Sequence, residues 1–246
     1  MFVRCIGTGS GGNCYALYDN DGKILLLDLG LARKQILKGI DFNVSDVVGA
    51  VVSHGHGDHA KAVKDFENMG IPVFKPYEKA IKKVQYEKFG GFTINAFPML
   101  DKEMETWQHT NTDGSECPCY GFYIKHEDMG QMVYATDTKC ISHNFSKMKL
   151  NHVLISSNYD NELLEDNEKR EHVLRGHLSI QYVCEEFIKP NKSNALRTVI
   201  LCHLSGDSAN PKECLSEVQK VVGEGVSVFV AHKGLEVELK ESRCPF

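Results

Sequence analysis

The sequence predicts an α+β sandwich, in which two β-sheets pack face to face with helices on their outer sides, as a single domain over residues 1–246. Three observations lead to this fold. Short apolar segments rich in β-branched residues recur along the whole chain, amphipathic segments separate them in both halves, and Gly, Asn and Pro stand at the joins. The composition, with 42% hydrophobic and 25% charged residues, is typical of a globular protein. On these grounds alone the architecture is one of several candidates.

The first half of the chain consists mainly of predicted strands. After Ala60, apolar residues recur at helical spacing as far as Met69, and Gly70 ends that helix. The predicted strands and strand-like apolar runs of this part lie at Ile24–Leu27, Val47–Val52, Pro72–Phe74, Phe92–Phe97, Tyr120–Lys125, Gln131–Thr136 and His152–Ser156.

The second half begins with a charged loop from Asn161 to Arg170 and then mixes helices with strands. Ser179 is the predicted N-cap of an amphipathic helix over Ile180–Ile188. Asn210-Pro211 opens a second helix that runs through Val222, with proline at its first position. The predicted strands are Thr198–Cys202, Val226–Val230 and Leu235–Leu239.

Charge and cysteine content narrow the classes of function. A net charge of −5 argues against a surface that binds nucleic acid everywhere, although the 28 Lys and Arg residues leave a local basic groove open. We find no secretory leader and no apolar run of the ~18 residues that a membrane span needs, so we expect a cytoplasmic protein. The nine cysteines suit reduced thiols. The pair in Cys117-Pro118-Cys119 has no second pair with which to form a zinc site, so it is interpreted as packing or turn thiols.

The segment Ser53–His59 carries the most specific chemical signal. Its side chains offer four potential ligands, His54, His56, Asp58 and His59, directly after a β-branched strand. Imidazole and carboxylate together suit zinc, manganese or iron, and the intervening glycines let the backbone turn tightly. We expect the first two histidines to face one ion and the last two residues to face a second. A solvated loop without metal is the alternative interpretation.

This H-x-H-x-D-H pattern resembles the signature of the metallo-β-lactamase superfamily. The resemblance implies a four-layer αββα sandwich with a mono- or dinuclear site at one edge of the sheets. It also implies two divalent metal ions, Zn or Mn, with Fe possible as well, because the ligand types do not distinguish these metals.

The resemblance further implies ligands at later strand ends. Asp137 ends a predicted strand and is similar to the superfamily's bridging aspartate, and His203 ends another and is similar to its last ligand. His109 lies in the irregular insert over residues 100–118, where the third histidine is expected. Asp28 is expected to support the metal loop by hydrogen bonds. Taken one at a time, these residues could equally be surface or capping groups.

On this assignment each ion has three ligands of its own and both share one carboxylate. One ion is held by His54, His56 and His109, the other by Asp58, His59 and His203, and Asp137 bridges them.

Further motifs resemble a small bacterial branch of the superfamily, the YycJ-like proteins, which are regarded as nuclease- or phosphodiesterase-like. They are Gly7–Cys14, Ser157–Asp160, Gly176–Ser179 and Cys202–Ser205. The glycine-rich opening lacks the Gly-Lys-Ser/Thr ending of a nucleotide-binding loop and is interpreted as a tight turn between two strands.

His177 precedes a helix start, where free N–H groups and positive potential favour phosphate. Its resemblance to a histidine of related phosphodiesterases implies contact with phosphate or protonation of the leaving group. A plain helix-entry histidine is the alternative.

The predicted activity is therefore hydrolysis of a phosphodiester, in DNA, RNA or a small cyclic diester, by water that two metal ions activate. Asp58 would orient the nucleophile, and His177 and the ions would stabilise the charge that develops on phosphate. The same cage could serve a thioesterase or a lactonase. A metal-binding protein without catalysis is the alternative of another class. His56 argues against redox di-iron relatives, which carry glutamate at that position. The oligomeric state is not indicated by the sequence.

Overall fold

Two β-sheets form the centre of the molecule, and the structure, a computed structural model, describes residues 1–101, 103–160, 176–204 and 209–240. In the described residues the first sheet has six strands, which are β1 (Phe2–Gly7), β2 (Cys14–Tyr18), β3 (Ile24–Leu27), β4 (Val47–Val51), β5 (Val73–Phe74) and β15 (Glu236–Glu238). Their order across the sheet is β15-β1-β2-β3-β4-β5, with the β3-β4 and β4-β5 pairs parallel.

The second sheet is the larger, and its described strands are β6 (Gln85–Phe89), β7 (Phe92–Pro98), β10 (Tyr120–His126), β11 (Gly130–Ala135), β12 (His152–Ser156), β13 (Thr198–Cys202) and β14 (Ser227–Val230). Their order is β14-β13-β12-β11-β10-β7-β6, parallel from β11 to β14 and antiparallel from β6 to β11. A small hairpin, β8 (His109–Thr110) with β9 (Glu116–Cys117), stands apart from both sheets.

The helices lie between strands along the chain. They are α1 (Arg33–Gly39), α2 (Gly57–Ala60), α3 (Val63–Asn68), α4 (Pro76–Lys79), α5 (Ile180–Tyr182), a π-helix (Val183–Ile188) that continues α5, α6 (Lys189–Asn191) and α7 (Pro211–Val222), with short 3₁₀ turns at Val44–Asp46 and Ser146–Met148. The side chain of Ser179 accepts a hydrogen bond from the Tyr182 N–H, which confirms the predicted N-cap. No described helix is long and apolar enough to cross a membrane.

Three apolar cores separate four layers. One core packs α1 and α3 on the outer face of the first sheet, for example through Ile36 and Phe66. A second fills the space between the sheets, where Tyr15 and Phe122 are buried. The third packs α7 and the π-helix on the second sheet. The predicted α+β class and the αββα sandwich are therefore confirmed.

Most predicted strands are present within a residue or two of their expected bounds. The glycine-rich opening is a turn between β1 and β2, in which the Gly12 N–H bonds the Gly9 carbonyl at 3.0 Å. The edge strand β6, the β8-β9 hairpin and the π-helix were not predicted. The charged loop from Asn161 to Arg170 lies outside the described residues.

Candidate metal centre

The predicted site residues meet at one edge of the sandwich because several strands end there. β4 runs directly into the Ser53–His59 segment, and α2 begins within it. β11 and β13, which belong to the same parallel set of the other sheet, end just before Asp137 and His203. β8 brings His109 to the same edge.

The backbone turns sharply at three of these strand ends. Asp28, Asp137 and His203 have φ angles of 58°, 48° and 52°. Residues other than glycine adopt positive φ infrequently, and the strain of doing so is concentrated at functional sites. These three site residues are thus among the eight described non-glycine residues with positive φ.

The seven predicted ligands form two groups. Within each group, every residue offers one ligand atom, and these atoms lie within 4.8 Å of one another. One group is His54, His56 and His109, and the other is Asp58, His59, Asp137 and His203.

Asp137 lies between the two groups. Its Oδ2 atom is 3.7 Å from His54 Nε2, 2.9 Å from His59 Nε2 and 3.6 Å from His203 Nε2. The carboxylate is buried and touches both groups, which is the position that a bridging ligand would occupy.

Asp28 and Ser53 orient the histidines from behind. The Nδ1 atom of His59 lies 2.6 Å from an Asp28 carboxylate oxygen, and the Ser53 N–H donates to the other oxygen at 2.7 Å. The hydroxyl of Tyr134 also donates to Asp28. The Ser53 hydroxyl is 3.0 Å from His54 Nδ1. These contacts hold both Nδ1 atoms and leave both Nε2 atoms facing the centre, as metal-ligating histidines require.

The chemistry of the donors fits a divalent metal. Within the described part of the chain, His54 Nε2 and His203 Nε2 are buried without a hydrogen-bond partner, and both lie within 3.7 Å of Asp137. A buried nitrogen left without a partner is costly, and an ion at the centre would satisfy it. Imidazoles and carboxylates are the ligands that zinc, manganese and iron accept.

Burial keeps two histidines of the first group, His54 and His109, neutral. It lowers the pKa of His54 well below the usual value, and the adjacent His59 and His109 rings lower it further. Burial likewise lowers the pKa of His109 to about 4. Neutral imidazole is the form that binds metal, so these ligands need lose no proton at neutral pH.

The second group is a cluster of opposite charges. Although burial lowers the pKa of His59, the carboxylates of Asp28 and Asp137 raise it well above its usual value. Burial would raise the pKa of Asp137, but His203 and His59 hold it well below its usual value. Without metal, protons on the imidazoles compensate the buried carboxylates. A divalent cation would replace those protons, so binding here would release them.

The centre opens into a cavity of about 470 Å³, lined on one side by His177. The His177 ring is partly exposed, and its Nδ1 atom lies 3.5 Å from Asp137 Oδ1. The preceding residue, Gly176, packs closely against His109. A Cβ atom at position 176 would lie 2.2 Å from His109 Nδ1, so a side chain there would collide with that ring. The structure therefore brings together all eight residues predicted as metal ligands or catalytic groups, and the two candidate ligand groups lie at the floor of the cavity.

Three asparagines contact the candidate ligands, although the sequence predicted no role for them. Asn13 Nδ2 is 3.0 Å from His59 Nε2, Asn111 Oδ1 is 3.0 Å from His56 Nε2, and Asn158 Nδ2 is 2.9 Å from His203 Nδ1. Asn13 lies in the Gly7–Cys14 motif and Asn158 in the Ser157–Asp160 motif, and these motifs are the sequence signal for both residues. Asn111 gave no signal, because the insert around it has no regular pattern.

The close cysteine pair plays no part in the ligand groups. Cys117 and Cys119 are buried free thiols. The Cys119 thiol donates to the Asp137 carbonyl at 3.4 Å and so packs beneath the centre. Burial raises the pKa of Cys117 to about 11.

Comparison with known proteins gives a family match for the first part of the chain. Residues 7–97 match the metallo-beta-lactamase superfamily, a stretch that includes Asp28 and the Ser53–His59 segment. Exodeoxyribonuclease YycJ of Bacillus anthracis is 27% identical over 251 residues, which cover 92% of this chain and 92% of that protein.

Solved structures share the architecture at low identity. The metallo-beta-lactamase fold protein YhfI from Bacillus subtilis has a TM-score of 0.68 at 17% identity, covering 96% of this chain and 98% of that one. The short form of human tRNase Z has a TM-score of 0.59 at 14% identity, covering 97% and 99%. At these identities the likeness concerns the fold.

Proposed function

This chain has the metallo-β-lactamase fold, with residues 7–97 matching that superfamily of hydrolases, and from this premise we propose that it is a dinuclear metal-dependent phosphodiesterase or nuclease. The observation that carries the proposal is the pair of ligand groups that shares Asp137 at the floor of one cavity. The 27% identity with an exodeoxyribonuclease supports a nucleic acid as the substrate.

In this proposal His54, His56 and His109 would hold one ion, Asp58, His59 and His203 would hold the other, and Asp137 would serve both. Two such ions supply Lewis acidity and a water of lowered pKa when they are bound. Zinc or manganese, with iron as a third choice, and a cytoplasmic location stay predictions of the sequence.

Asp58 is suited to orient the attacking water. Its side chain is partly exposed to the cavity, and a carboxylate oxygen lies 3.6 Å from the Nε2 atoms of both His59 and His203. Burial would raise the pKa of Asp58, but the contact with His203 and the charge of His59 lower it overall. The group is therefore ionised at neutral pH and accepts a hydrogen bond from water.

His177 is suited to act on the opposite side of the phosphorus. As the water oxygen bonds to phosphorus, the ester P–O bond breaks and the departing oxygen needs a proton. The imidazole of His177 lies at the cavity wall next to Asp137, which orients it. We propose that it delivers that proton.

The test compares bis-p-nitrophenyl phosphate, a lactone and a thioester with the zinc- or manganese-loaded protein. We expect only the phosphodiester to turn over. His177→Ala should lower kcat about 100-fold on a dinucleotide, whose alkoxide leaving group needs a proton, and much less on the p-nitrophenyl ester, whose leaving group does not.

His232→Ala is the matched control, since His232 is an exposed histidine outside the cavity, and it should keep both rates. Turnover of the lactone or thioester alone would refute the phosphodiesterase proposal. Equal losses on the two phosphodiesters would instead assign His177 to phosphate contact.

A further inference from the structure

Exposed apolar side chains are gathered on one side of the metal centre. Within the described residues, the large hydrophobic side chains that are exposed are Phe42, Ile81, Val84, Tyr86 and Met104. All but Phe42 belong to residues 79–88 or to the neighbouring turn that contains Met104. The Lys82 Nζ atom donates a hydrogen bond of 2.6 Å to the Glu105 carbonyl of that turn. We call residues 79–88 together with Met104 the shoulder.

The strand topology places the shoulder at the same edge of the sandwich as the metal centre. β6 begins at Gln85, which pairs with Ala96 near the end of β7, and β7 ends beside Tyr120 at the start of β10. Since β10 is antiparallel to β11, the start of β10 lies at the edge where β11 ends before Asp137.

Tyr120 connects the shoulder to the histidine segment. The Tyr120 N–H donates to the Ser53 carbonyl at 3.0 Å, and the Tyr120 hydroxyl donates to the Ile81 carbonyl at 2.6 Å. The Tyr77 ring packs against Gly55, where an added Cβ would lie 3.4 Å from the ring. The shoulder is thus one residue away from the loop that carries His54 and His56.

The shoulder is basic in a chain that is acidic overall. Residues 79–88 contain four lysines and one glutamate, whereas the whole chain has a net charge of −5. Lys79, Lys82, Lys83 and Lys88 are all exposed. In the described residues no carboxylate forms an ion pair with these four, in contrast to Lys75, which is paired with both Glu67 and Glu78.

The outer face of the sheet continues this surface. Lys88 pairs with Thr93, and Thr93 pairs with Lys125 on the next strand, so the two exposed lysines share one face. Tyr86, two residues before Lys88, is on that face too, and its side chain is 72% exposed. An aromatic ring therefore stands beside a row of cations.

We infer that the shoulder binds a single strand of nucleic acid that continues beyond the metal centre. The positive charges of the lysines complement the negative charges of the phosphates. Tyr86 and its apolar neighbours offer surfaces on which unpaired bases stack, and a duplex does not expose the faces of its bases. A second copy of this chain pairing along the free edge of β6 would bring like charges together, and edge lysines oppose such pairing. The inference rests on the proposed function and specifies its substrate.

The experiment is a fluorescence anisotropy titration of the full metal-loaded chain with phosphorothioate-linked single strands of about 12 nucleotides, which resist cleavage. One strand is DNA and one RNA, and a blunt duplex is the third arm. We expect both single strands to bind more tightly than the duplex. A tighter RNA complex would indicate that the 2′-hydroxyl is recognised.

Two shoulder variants separate charge from stacking. Lys82→Ser with Lys83→Ser should lower the slope of log Kd against log salt by about 1.4, as expected for two lost phosphate contacts. Tyr86→Ser should raise Kd about fivefold or more at every salt concentration. The matched control, Lys34→Ser with Lys212→Ser, removes two exposed helix lysines outside the shoulder and should leave Kd within about twofold.

Shoulder variants that bind like the control would overturn the inference. So would sedimentation showing that the wild type self-associates through Tyr86, because the surface would then be an interface between copies. The proposed function has a separate outcome. If the shoulder variants lose binding but the wild type turns over no phosphodiester, the proposed activity is rejected and the binding role of the shoulder is supported. If the wild type turns over a phosphodiester but binding does not depend on the shoulder, the activity is supported and the binding role is rejected.

Discussion

His152 is a titratable side chain buried in the middle of the second sheet. It pairs with Met132 on one side and Thr198 on the other, and its Nε2–H donates to the Met129 carbonyl at 3.1 Å. Burial lowers the pKa of His152 to about 4, against the opposing effect of the Met129 carbonyl. The folded protein therefore holds this imidazole neutral under conditions in which the unfolded chain would protonate it.

Stability should consequently fall as the medium is acidified. Between the ordinary histidine pKa and about 4, the unfolded state binds more protons than the folded state at this site, so the free energy of unfolding decreases as pH falls through that window. The contribution is about 3 kcal/mol. Urea unfolding of the EDTA-treated protein from pH 7.5 to pH 4.5 measures it.

His152→Gln removes the titration while keeping a donor for Met129, and it should flatten this part of the pH profile. His232→Gln, at an exposed site, should keep the wild-type slope. If His152→Gln keeps that slope as well, buried His152 is not its source.

At the level of elements, the apolar runs predicted strands well because those strands are buried on both faces. β12 and β13 are wholly buried and have their predicted bounds. β6 was missed because its sequence, QYEKF, is largely exposed at the edge of the sheet and shows no apolar run. The local sequence thus predicts a strand where burial requires apolar side chains, and it misses a strand that is exposed.

The site was predictable to the extent that its residues follow such strands. Asp137 and His203 come after buried strands, whereas His109 belongs to a two-residue strand inside an irregular insert, and only the resemblance to relatives indicated it. The positive φ angles at the strand ends gave no sequence signal, because neither aspartate nor histidine requires that conformation.

The π-helix was also beyond local prediction. At its end the Lys189 N–H bonds the Cys184 carbonyl, five residues back, and Pro190 follows directly. Proline has no N–H and crowds the preceding turn, so the wider turn accommodates it. The helical periodicity of the apolar residues is compatible with either form, which is why it predicted only a helix.

The turn after β3 depends on a glycine. A Cβ atom on Gly30 would lie 1.6 Å from the Asp58 carbonyl oxygen, and the Gly30 N–H bonds the Asn13 carbonyl at 2.9 Å. Gly30→Ala should push the Asp58 backbone away and weaken the second ligand group. We expect at least a tenfold loss of metal affinity, equal to about 1.4 kcal/mol, in a competitive chelator titration.

Gly11→Ala is the matched control, because an added Cβ at Gly11 meets no atom within 4 Å. It should bind metal like the wild type. A normal affinity for Gly30→Ala would mean that the Asp58 loop tolerates displacement.

Across the whole molecule, the candidate ligands come from both halves of the sandwich. The Ser53–His59 segment follows the first sheet, whereas Asp137 and His203 follow strands of the second. Bound ions would therefore tie the two sheets together at their common edge. That residues 1–246 form a single domain stays a prediction.

Metal removal should lower the melting temperature. Ions at about 1,000 times their Kd add about 4 kcal/mol to the folded state. For a chain of this length that corresponds to a rise in Tm of about 10 °C, which calorimetry of the loaded and EDTA-treated protein would record.

The double variant Asp58→Ala, His59→Ala is the comparison. Elemental analysis should fall from two ions per chain to one or fewer, and the metal-dependent gain in Tm should shrink with it. A wild type whose Tm and metal content do not respond to chelation and reloading would contradict the dinuclear site.

The spread of the ligands along the chain has a consequence for biosynthesis. His54 leaves the ribosome long before His203, and β13, which positions His203, must join the second sheet before the second group is complete. A nascent or prematurely terminated polypeptide can present the early histidines but cannot close the cage. Binding of an ion by the second group would therefore follow the synthesis of His203, whereas His54, His56 and His109 of the first group are all made earlier.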